Sequence, residues 1–138
     1  MGGDELAVVY ANSAAFSRMD VDAMMDLYAP DAVVVDRRRV SMGTFRGHDE
    51  LRPYYLSIFH SASQLFEDLT VLAHRDGLVV TDCEIRGKLA DAPALAPEVV
   101  VPYGLLVRLR DGKIAEIELH EDGAAALEAS GLRQGDQV

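Results

Sequence analysis

The stretch from Asp20 to Tyr55 constrains the fold most, because it combines a helix, a strand, a loop and a second helix in 36 residues. Asp20 is a typical helix N-cap. The apolar side chains that follow it recur at spacings of three and four residues, as an amphipathic helix requires: Val21, Met24, Met25 and Tyr28. Pro30 and Asp31 predict the end of this helix. Gly43 and Gly47 then mark a loop, and a second helix is predicted to open at His48 or Asp49.

Between these helices, the β-branched run Ala32 to Val35 predicts a short strand that ends at a single carboxylate, Asp36. The period of two puts Val34, Asp36 and Arg38 on one face, with Val33, Val35 and Arg37 on the other. A carboxylate beside apolar side chains can become a tuned base. Arg38 on the same face can instead pair with Asp36 and lower its pKa, or hold an anionic group of a ligand.

The rest of the chain predicts one more helix at each end and two hairpins. The first helix runs from about Asp4 to Arg18, and a last helix, Asp122 to Ser130, is ended by Gly131. Asp76-Gly77 and Asp111-Gly112 are tight-turn signals within four predicted strands: Phe66 to His74, Leu78 to Leu89, Glu98 to Arg110 and Lys113 to Glu121. Pro102 implies an edge or a bulge. Lys88 to Pro97 is predicted to be a loop, and the last residues, RQGDQV, a frayed tail.

Composition excludes several classes of function. The 138 residues, 49% of them hydrophobic, predict a single domain over residues 1–138. A net charge of −10 disfavours nucleic acid and anionic membranes as partners. There is no apolar run of 18 residues and no secretory signal pattern, so we expect a cytoplasmic protein. The lone Cys83 is expected to be buried and inert. The four scattered histidines do not predict a metal, and the sequence has no nucleotide-binding loop, so we expect no cofactor.

The pattern D-x-D-x-x-x-x-L-Y-A-x-D-A-x-x-x-D, followed by a glycine-ended loop and a helix, resembles the nuclear transport factor 2-like superfamily. That superfamily includes the SnoaL-like polyketide cyclases and the ketosteroid isomerases. The resemblance covers roughly the whole chain. It implies an α+β cone, in which a curved antiparallel sheet wraps helices around an internal pocket. It also implies a homodimer, for which the apolar strand Val99 to Val107 could supply a face, although the same strand could equally belong to the core.

The resemblance also implies site residues. The proton-shuttling aspartate of the ketosteroid isomerases falls on Asp36. Their two oxyanion donors fall near Asn12, which can donate a hydrogen bond, and near Leu105, which cannot. Half of the oxyanion device is therefore missing, and steroid isomerisation itself is not expected. The aspartate–arginine–aspartate set of the epoxide hydrolases on this fold is not matched either.

Two functional hypotheses follow. In the first, the protein is a SnoaL-like, cofactor-independent isomerase or cyclase that binds a small apolar molecule and uses Asp36 as acid and base. Its ligand-binding candidates are the polar side chains Asn12, Tyr28, Arg38, Tyr55 and Tyr103. In the second, the cone is a non-catalytic ligand-binding or dimeric interaction module, and Asp36 with Arg38 is an ion pair that orients the loop Val40 to Gly47.

Overall fold

The structure is a computed structural model, and it describes residues 2–93 and 95–137. These described residues form four helices and six strands, in the order α1 (Gly2–Ser17), α2 (Val21–Leu27), β1 (Tyr28–Asp36), β2 (Thr44–Arg46), α3 (Gly47–His60), β3 (Ala62–Arg75), β4 (Leu78–Leu89), β5 (Val99–Arg110), β6 (Lys113–His120) and α4 (Gly123–Ser130). The predicted α+β class and the two hairpins are confirmed.

The six strands form one curved, unclosed sheet in the order β2-β1-β6-β5-β4-β3. All neighbouring pairs are antiparallel except β1 and β6, which run parallel. The strands of the second half of the chain form an antiparallel meander from β3 to β6, and β1 joins it beside β6. The chain therefore brings the end of β1, where Asp36 lies, next to Leu119 near the end of β6.

Helices cover both faces of the sheet. The larger core holds side chains of α1, α2 and α3 against one face, where Val79 and Leu105 lie. Their neighbours in sequence, Val80 and Leu106, pack against α4 on the opposite face. This alternation follows from the period of two in a strand. The large core therefore lies between the first three helices and the sheet.

The cap signals were predicted correctly, but one helix end was not. The Asp20 side chain accepts a hydrogen bond from the Ala23 N–H at 3.1 Å, and Gly131 closes α4 with a φ of 77°. However, α2 ends at Leu27, and Pro30 lies inside β1. Tyr28 is therefore the first residue of the strand and not the last of the helix. β1 tolerates the proline because its pairing with β6 shifts register between Tyr28 and Val33.

Pro102 lies in a part of β5 that pairs with a neighbouring strand on one side only, which agrees with the predicted edge. The pairing of β5 with β6 begins at Gly104 and His120, whereas the pairing with β4 continues to Val99. Residues 99–103 of β5 thus extend past the end of β6 with one side unpaired. Proline is accommodated there because no ladder hydrogen bond to β6 is needed.

The predicted frayed tail is wrong for the described residues of RQGDQV; Val138 lies outside them. The Gly135 N–H donates to the Leu72 carbonyl at 2.8 Å, and the His74 N–H donates to the Asp136 carbonyl at 3.0 Å. Asp136 also pairs with Arg75 at 3.3 Å. The tail is thus held along β3 by backbone hydrogen bonds, which composition does not reveal. The loop predicted over Lys88 to Pro97 is confirmed for residues 90–93 and 95–97, whereas Lys88 and Leu89 belong to β4 and Ala94 lies outside the described residues.

Candidate functional site

A cavity of about 90 Å³ lies between the first three helices and the sheet. Aromatic and aliphatic side chains from α1, α2, α3, β4, β5 and β6 form most of its wall, among them Phe16, Tyr54 and Leu105. The polar or charged side chains that reach the wall include Asn12, Arg38 and Glu67. An apolar pocket with a few convergent polar groups is the usual form of a small-molecule site.

The Asp36 side chain is only 1% exposed, and its carboxylate accepts four hydrogen bonds. Arg38 binds it through both oxygens, with Nε–H···Oδ1 at 2.9 Å and Nη2–H···Oδ2 at 2.8 Å. The backbone N–H groups of Arg38 and Met42 supply the other two, at 3.1 and 2.9 Å. Among the described residues, Arg38 lines the cavity and Asp36 does not.

These contacts stabilise the ionised form of Asp36. Burial on its own would raise the pKa of this carboxyl, but the hydrogen bonds from Arg38 and from the two backbone N–H groups outweigh it and hold the pKa below its ordinary 3.8. In return, the pKa of Arg38 is raised. A carboxylate with four donors and a lowered pKa is a poor proton acceptor near neutral pH.

Among the residues that the structure describes, the buried carboxyl that lines the cavity is Glu67, on β3. It is 9% exposed, and its Oε2 accepts a hydrogen bond from the Tyr103 hydroxyl. The Ser13 hydroxyl is a second donor. Burial raises the pKa of Glu67 from 4.5 to about 7, although the Ser13 hydrogen bond opposes the rise. Glu67 is therefore poised to exchange a proton near neutral pH.

Three tyrosines of the site are buried with raised pKa values. Burial raises the pKa of Tyr54 to about 12, and it raises those of Tyr28 and Tyr55 as well. The hydroxyls of Tyr28 and Tyr55 are 2.7 Å apart, and Asn12 also bonds to Tyr28. Tyr54 and Tyr55 are adjacent on α3, and both line the cavity, with ring centroids 4.9 Å apart. Neutral hydroxyls can donate hydrogen bonds to a ligand oxygen.

Asn12 is 9% exposed, and its Oδ1 atom has no hydrogen-bond partner among the described residues. A buried amide oxygen without a partner costs free energy, so such an atom at a cavity wall is suited to a ligand. The amide lies on α1 one residue before Ser13, which binds Glu67. The polar groups of α1 are thus gathered beside the Glu67 carboxyl.

The structure places the predicted ligand-binding residues as follows. Asn12, Arg38, Tyr55 and Tyr103 line the cavity, and Tyr28 lies behind them, bonded to Tyr55. Leu105, the expected position of the second oxyanion donor, also lines it. Their binding roles stay predictions, as does catalysis by Asp36. Cys83 is buried as expected, with its Sγ 3.1 Å from Thr81 Oγ1, and its pKa is raised by burial.

Sequence reasoning missed Glu67, although a signal was present. Leu65, Glu67 and Leu69 alternate along β3, and therefore share a face just as Val34 and Asp36 share one on β1. The predicted strand began at Phe66, one residue past the start of this alternation. Phe66 is 56% exposed, which shows that the large aromatic side chain of the segment points outward and the carboxyl points inward.

A family model described as the SnoaL-like domain matches residues 9–117, which is most of the chain. The chain belongs to the SnoaL-like domain family. No curated protein matches this SnoaL-like domain. Its fold is shared with a Catenulispora acidiphila protein of ketosteroid isomerase-like fold, crystallised in complex with trimethylamine. The two chains are 22% identical with a TM-score of 0.71, and the match covers 91% of this chain and 92% of the other.

Two further solved structures share the fold. A candidate polyketide cyclase from Xanthomonas campestris is 21% identical with a TM-score of 0.72, and the match covers 90% of this chain and 97% of that one. TerC, co-crystallised with polyporic acid, is 16% identical with a TM-score of 0.69, over 91% and 96% of the two chains. At these identities the likeness shows the fold of this SnoaL-like domain and leaves its chemistry to the site.

Within residues 2–93 and 95–137, no group of three or more His, Cys, Asp or Glu side chains is arranged to hold a metal ion. None of the described helices is long and apolar enough to cross a membrane.

Proposed function

We propose that this SnoaL-like domain binds a small, largely apolar, carbonyl-bearing molecule in its cavity and moves a proton on it with Glu67, as a cofactor-independent isomerase or cyclase. One observation carries the proposal: Glu67 is a buried carboxyl at the wall of an apolar cavity, and its pKa is raised to about 7. A general base acts best when its pKa lies near the working pH.

The chemistry follows from the position of the groups. The ionised Glu67 carboxylate takes a proton from the carbon next to the carbonyl, and the electron pair of that C–H bond moves towards the carbonyl oxygen to give an enolate. Donors in the wall stabilise the negative oxygen as it forms. Return of the proton to another atom of the enolate gives an isomer. Attack of the enolate carbon on a second carbonyl instead closes a ring, and the proton passes from Glu67 to the alkoxide that this attack forms. General acid–base catalysis contributes roughly 10²- to 10⁴-fold.

The comparisons support this reaction class by analogy. The Xanthomonas campestris structure carries a description as a candidate polyketide cyclase, and TerC was crystallised with polyporic acid. Both share this fold at low identity. Cyclisation and isomerisation of polyketide-like molecules both require a base beside a carbonyl-bearing ligand, and Glu67 provides such a base here.

Asp36 receives a different role in this proposal. Its carboxylate is held by Arg38 and by the Met42 N–H, so we assign it to positioning the loop Val40 to Gly47. The four hydrogen bonds on Asp36 are also the specific observation that favours the second candidate function, a ligand-binding module without chemistry. The two candidates differ in whether Glu67 transfers a proton.

Deuterium exchange tests the difference. Cyclopentanone and cyclohexanone, which are small cyclic ketones, are incubated with the protein in D₂O near neutral pD, and the loss of their α-protons is followed by NMR. We expect exchange faster than with buffer alone, and we expect Glu67→Gln to abolish the excess. Asp68→Asn is the matched control, because Asp68 is the next carboxyl along β3, is exposed and does not line the cavity. Equal exchange by Glu67→Gln and the wild type would rule out Glu67 as the base.

A homodimer and a cytoplasmic location stay predictions from the sequence. The exposed valines at the start of β5, Val99, Val100 and Val101, support the predicted dimer face. Analytical ultracentrifugation measures the oligomeric state directly.

A further inference from the structure

We propose that the ligand is an acid with an apolar end, whose acidic oxygen is held by Arg38 at the mouth of the cavity. The proposal rests on the proposed function in one respect: both use the same cavity. It goes further because it assigns a negative charge to the ligand and places the charged end at Arg38 and the apolar end in the cavity.

Arg38 lies between two spaces. It lines the inner cavity of about 90 Å³ and also an outer cleft of about 440 Å³, which is formed by the loop after β1 and the unpaired start of β5. Its side chain is 21% exposed, so it is neither buried nor free in solvent. A ligand that enters the cavity past this side chain has its outer end within reach of the guanidinium.

The guanidinium is fixed in orientation and has donors to spare. Asp36 occupies Nε–H and one Nη2–H. A guanidinium has five N–H groups, so three remain for a further acceptor. Because the bidentate pair holds the plane of the guanidinium, little conformational entropy is lost when an oxygen binds the remaining donors. A carboxylate or an enolate oxygen is the acceptor that matches such donors best.

The outer cleft provides further support for an acid. Arg39 lies in its wall beside Arg38, opposed by one acidic residue, Glu121, whereas the chain as a whole carries a net charge of −10. Val40 is 83% exposed and lies in the same wall. Because Asp36 pairs with Arg38 and Glu121 offsets Arg39, the formal charges at the mouth cancel. The mouth is therefore a locally neutral and partly apolar patch on an acidic protein, and its free guanidinium N–H groups favour an oxygen anion over a cation.

Size indicates how such a ligand lies. The inner cavity is smaller than the roughly 300 Å³ at which drug-sized sites begin, so it holds only a short apolar group, beside Glu67. A longer ligand must continue past Arg38 into the cleft. We assign the apolar end to the cavity and the acidic group to Arg38.

Straight-chain carboxylates from butanoate to decanoate test this assignment, with the corresponding primary amides as neutral controls. Affinity is measured by isothermal titration calorimetry at pH 8. We expect each carboxylate that fits to bind at least about tenfold more tightly than its amide, because charge-assisted hydrogen bonds are stronger than neutral ones. Amides that bind as tightly as the acids, or tetramethylammonium that binds more tightly than either, would overturn the proposal.

The variants isolate Arg38. The double variant Asp36→Asn/Arg38→Met removes the guanidinium without leaving the Asp36 carboxylate buried and unpaired. We expect its affinities for acid and amide to lie within about twofold of each other. Arg37→Met is the matched control: Arg37 is the preceding arginine, its side chain is 57% exposed, and among the described residues it lines neither the cavity nor the outer cleft. If Arg37→Met loses the preference as fully as the double variant does, general electrostatic attraction explains it and the proposal fails.

The role of Arg38 and the proposed function can be tested separately. Glu67→Gln is expected to keep the preference for carboxylates while it loses proton exchange, because Glu67 and Arg38 perform separate tasks. If the wild type prefers carboxylates to amides but neither the wild type nor a variant exchanges α-protons, the protein is an acid-binding module and the proposed enzymatic function is wrong. If α-proton exchange depends on Glu67 but carboxylates bind no more tightly than amides, the proposed role of Arg38 is wrong and the proposed enzymatic function stands.

Discussion

Asp36 and Glu67 are two buried carboxyls in one core, and they differ in what surrounds them. Asp36 accepts four hydrogen bonds, two of them from a guanidinium, and its pKa is lowered. Glu67 has hydroxyl donors and apolar walls, and its pKa is raised to about 7. Burial acts in the same direction on both. The comparison shows that the partner of a buried carboxyl, and not its burial, decides whether it is a fixed charge or a proton carrier.

The largest expected effect comes from Arg38→Met. The substitution leaves the Asp36 carboxylate buried without its cation, and breaking a buried pair in this way costs about 3–5 kcal/mol. Because Arg38 is 21% exposed, we expect a value near the lower end, about 3 kcal/mol, in urea unfolding at pH 7.

The double variant Asp36→Asn/Arg38→Met is the control for this prediction. We expect it to recover part of the lost free energy of unfolding, because a neutral amide needs no cation. A double variant no more stable than Arg38→Met alone would show that the arginine acts through packing of its aliphatic stem and not through the ion pair.

The pH dependence of stability gives the next effect, with opposite signs for the two carboxyls. The pKa of Glu67 is about 7 in the folded protein and 4.5 ordinarily, so its contribution is full below about 4.5 and is lost as pH rises through about 7. The loss is roughly 3 kcal/mol at most. Asp36, with its lowered pKa, contributes stability above its ordinary 3.8 that is lost as pH falls below it.

Urea unfolding of the wild type, Glu67→Gln and Asp36→Asn across pH 3 to 8 separates the two contributions. We expect Glu67→Gln to flatten the decline in stability between about pH 5 and pH 8. Asp36→Asn should leave that decline unchanged. It should lower the free energy of unfolding at pH values above about 3.8, where the wild-type Asp36 carboxylate is ionised and contributes stability. A wild-type decline that survives in Glu67→Gln would show that another group titrates there.

Removal of a hydroxyl donor gives a smaller effect. Tyr103 donates to Glu67, and a donor of this kind favours the ionised carboxyl. We therefore expect Tyr103→Phe to raise the pKa of Glu67 relative to the wild type and to cost about 1 kcal/mol at pH 8. Carboxyl-carbon NMR titration measures the pKa. Tyr28→Phe is the matched control, since that hydroxyl bonds to Tyr55, and a shift of equal size there would contradict a direct role for Tyr103.

Most of the fold could be predicted from the sequence because its signals are local. The Asp20 cap, the two Asp-Gly turns and the terminating Gly131 each act through neighbouring residues. The predicted pairing of Arg38 with Asp36 is present, although β1 ends at Asp36 and Arg38 lies in the segment after it. The parallel pairing of β1 with β6 could not be predicted in the same way, since it joins Val33 to Glu116 across most of the chain. Register between distant strands depends on packing that no local pattern records.

The site was predicted only in part for a similar reason. The resemblance identified Asp36, Asn12 and the position of Leu105, and the last two line the cavity. Glu67 lies on a strand whose predicted start was too late, so its alternation with Leu65 was not recognised. Its pKa depends on Ser13, which lies 54 positions earlier, and on burial by the assembled helices. Such an environment exists only in the folded chain.

The smallest effect concerns the loop that Asp36 holds. Ser41 Oγ donates to the Asp36 carbonyl at 2.7 Å and accepts from the Gly43 N–H at 3.0 Å. Ser41→Ala removes both bonds at an exposed position, where water can replace them, so we expect a loss of about 0.5–1 kcal/mol. Amide exchange should quicken at Met42, whose N–H binds the Asp36 carboxylate. The titration of Glu67 should not change, because the two carboxyls belong to separate networks. A shift of the Glu67 pKa in Ser41→Ala would couple the loop to the cavity and remove the basis for treating the two carboxyls as independent.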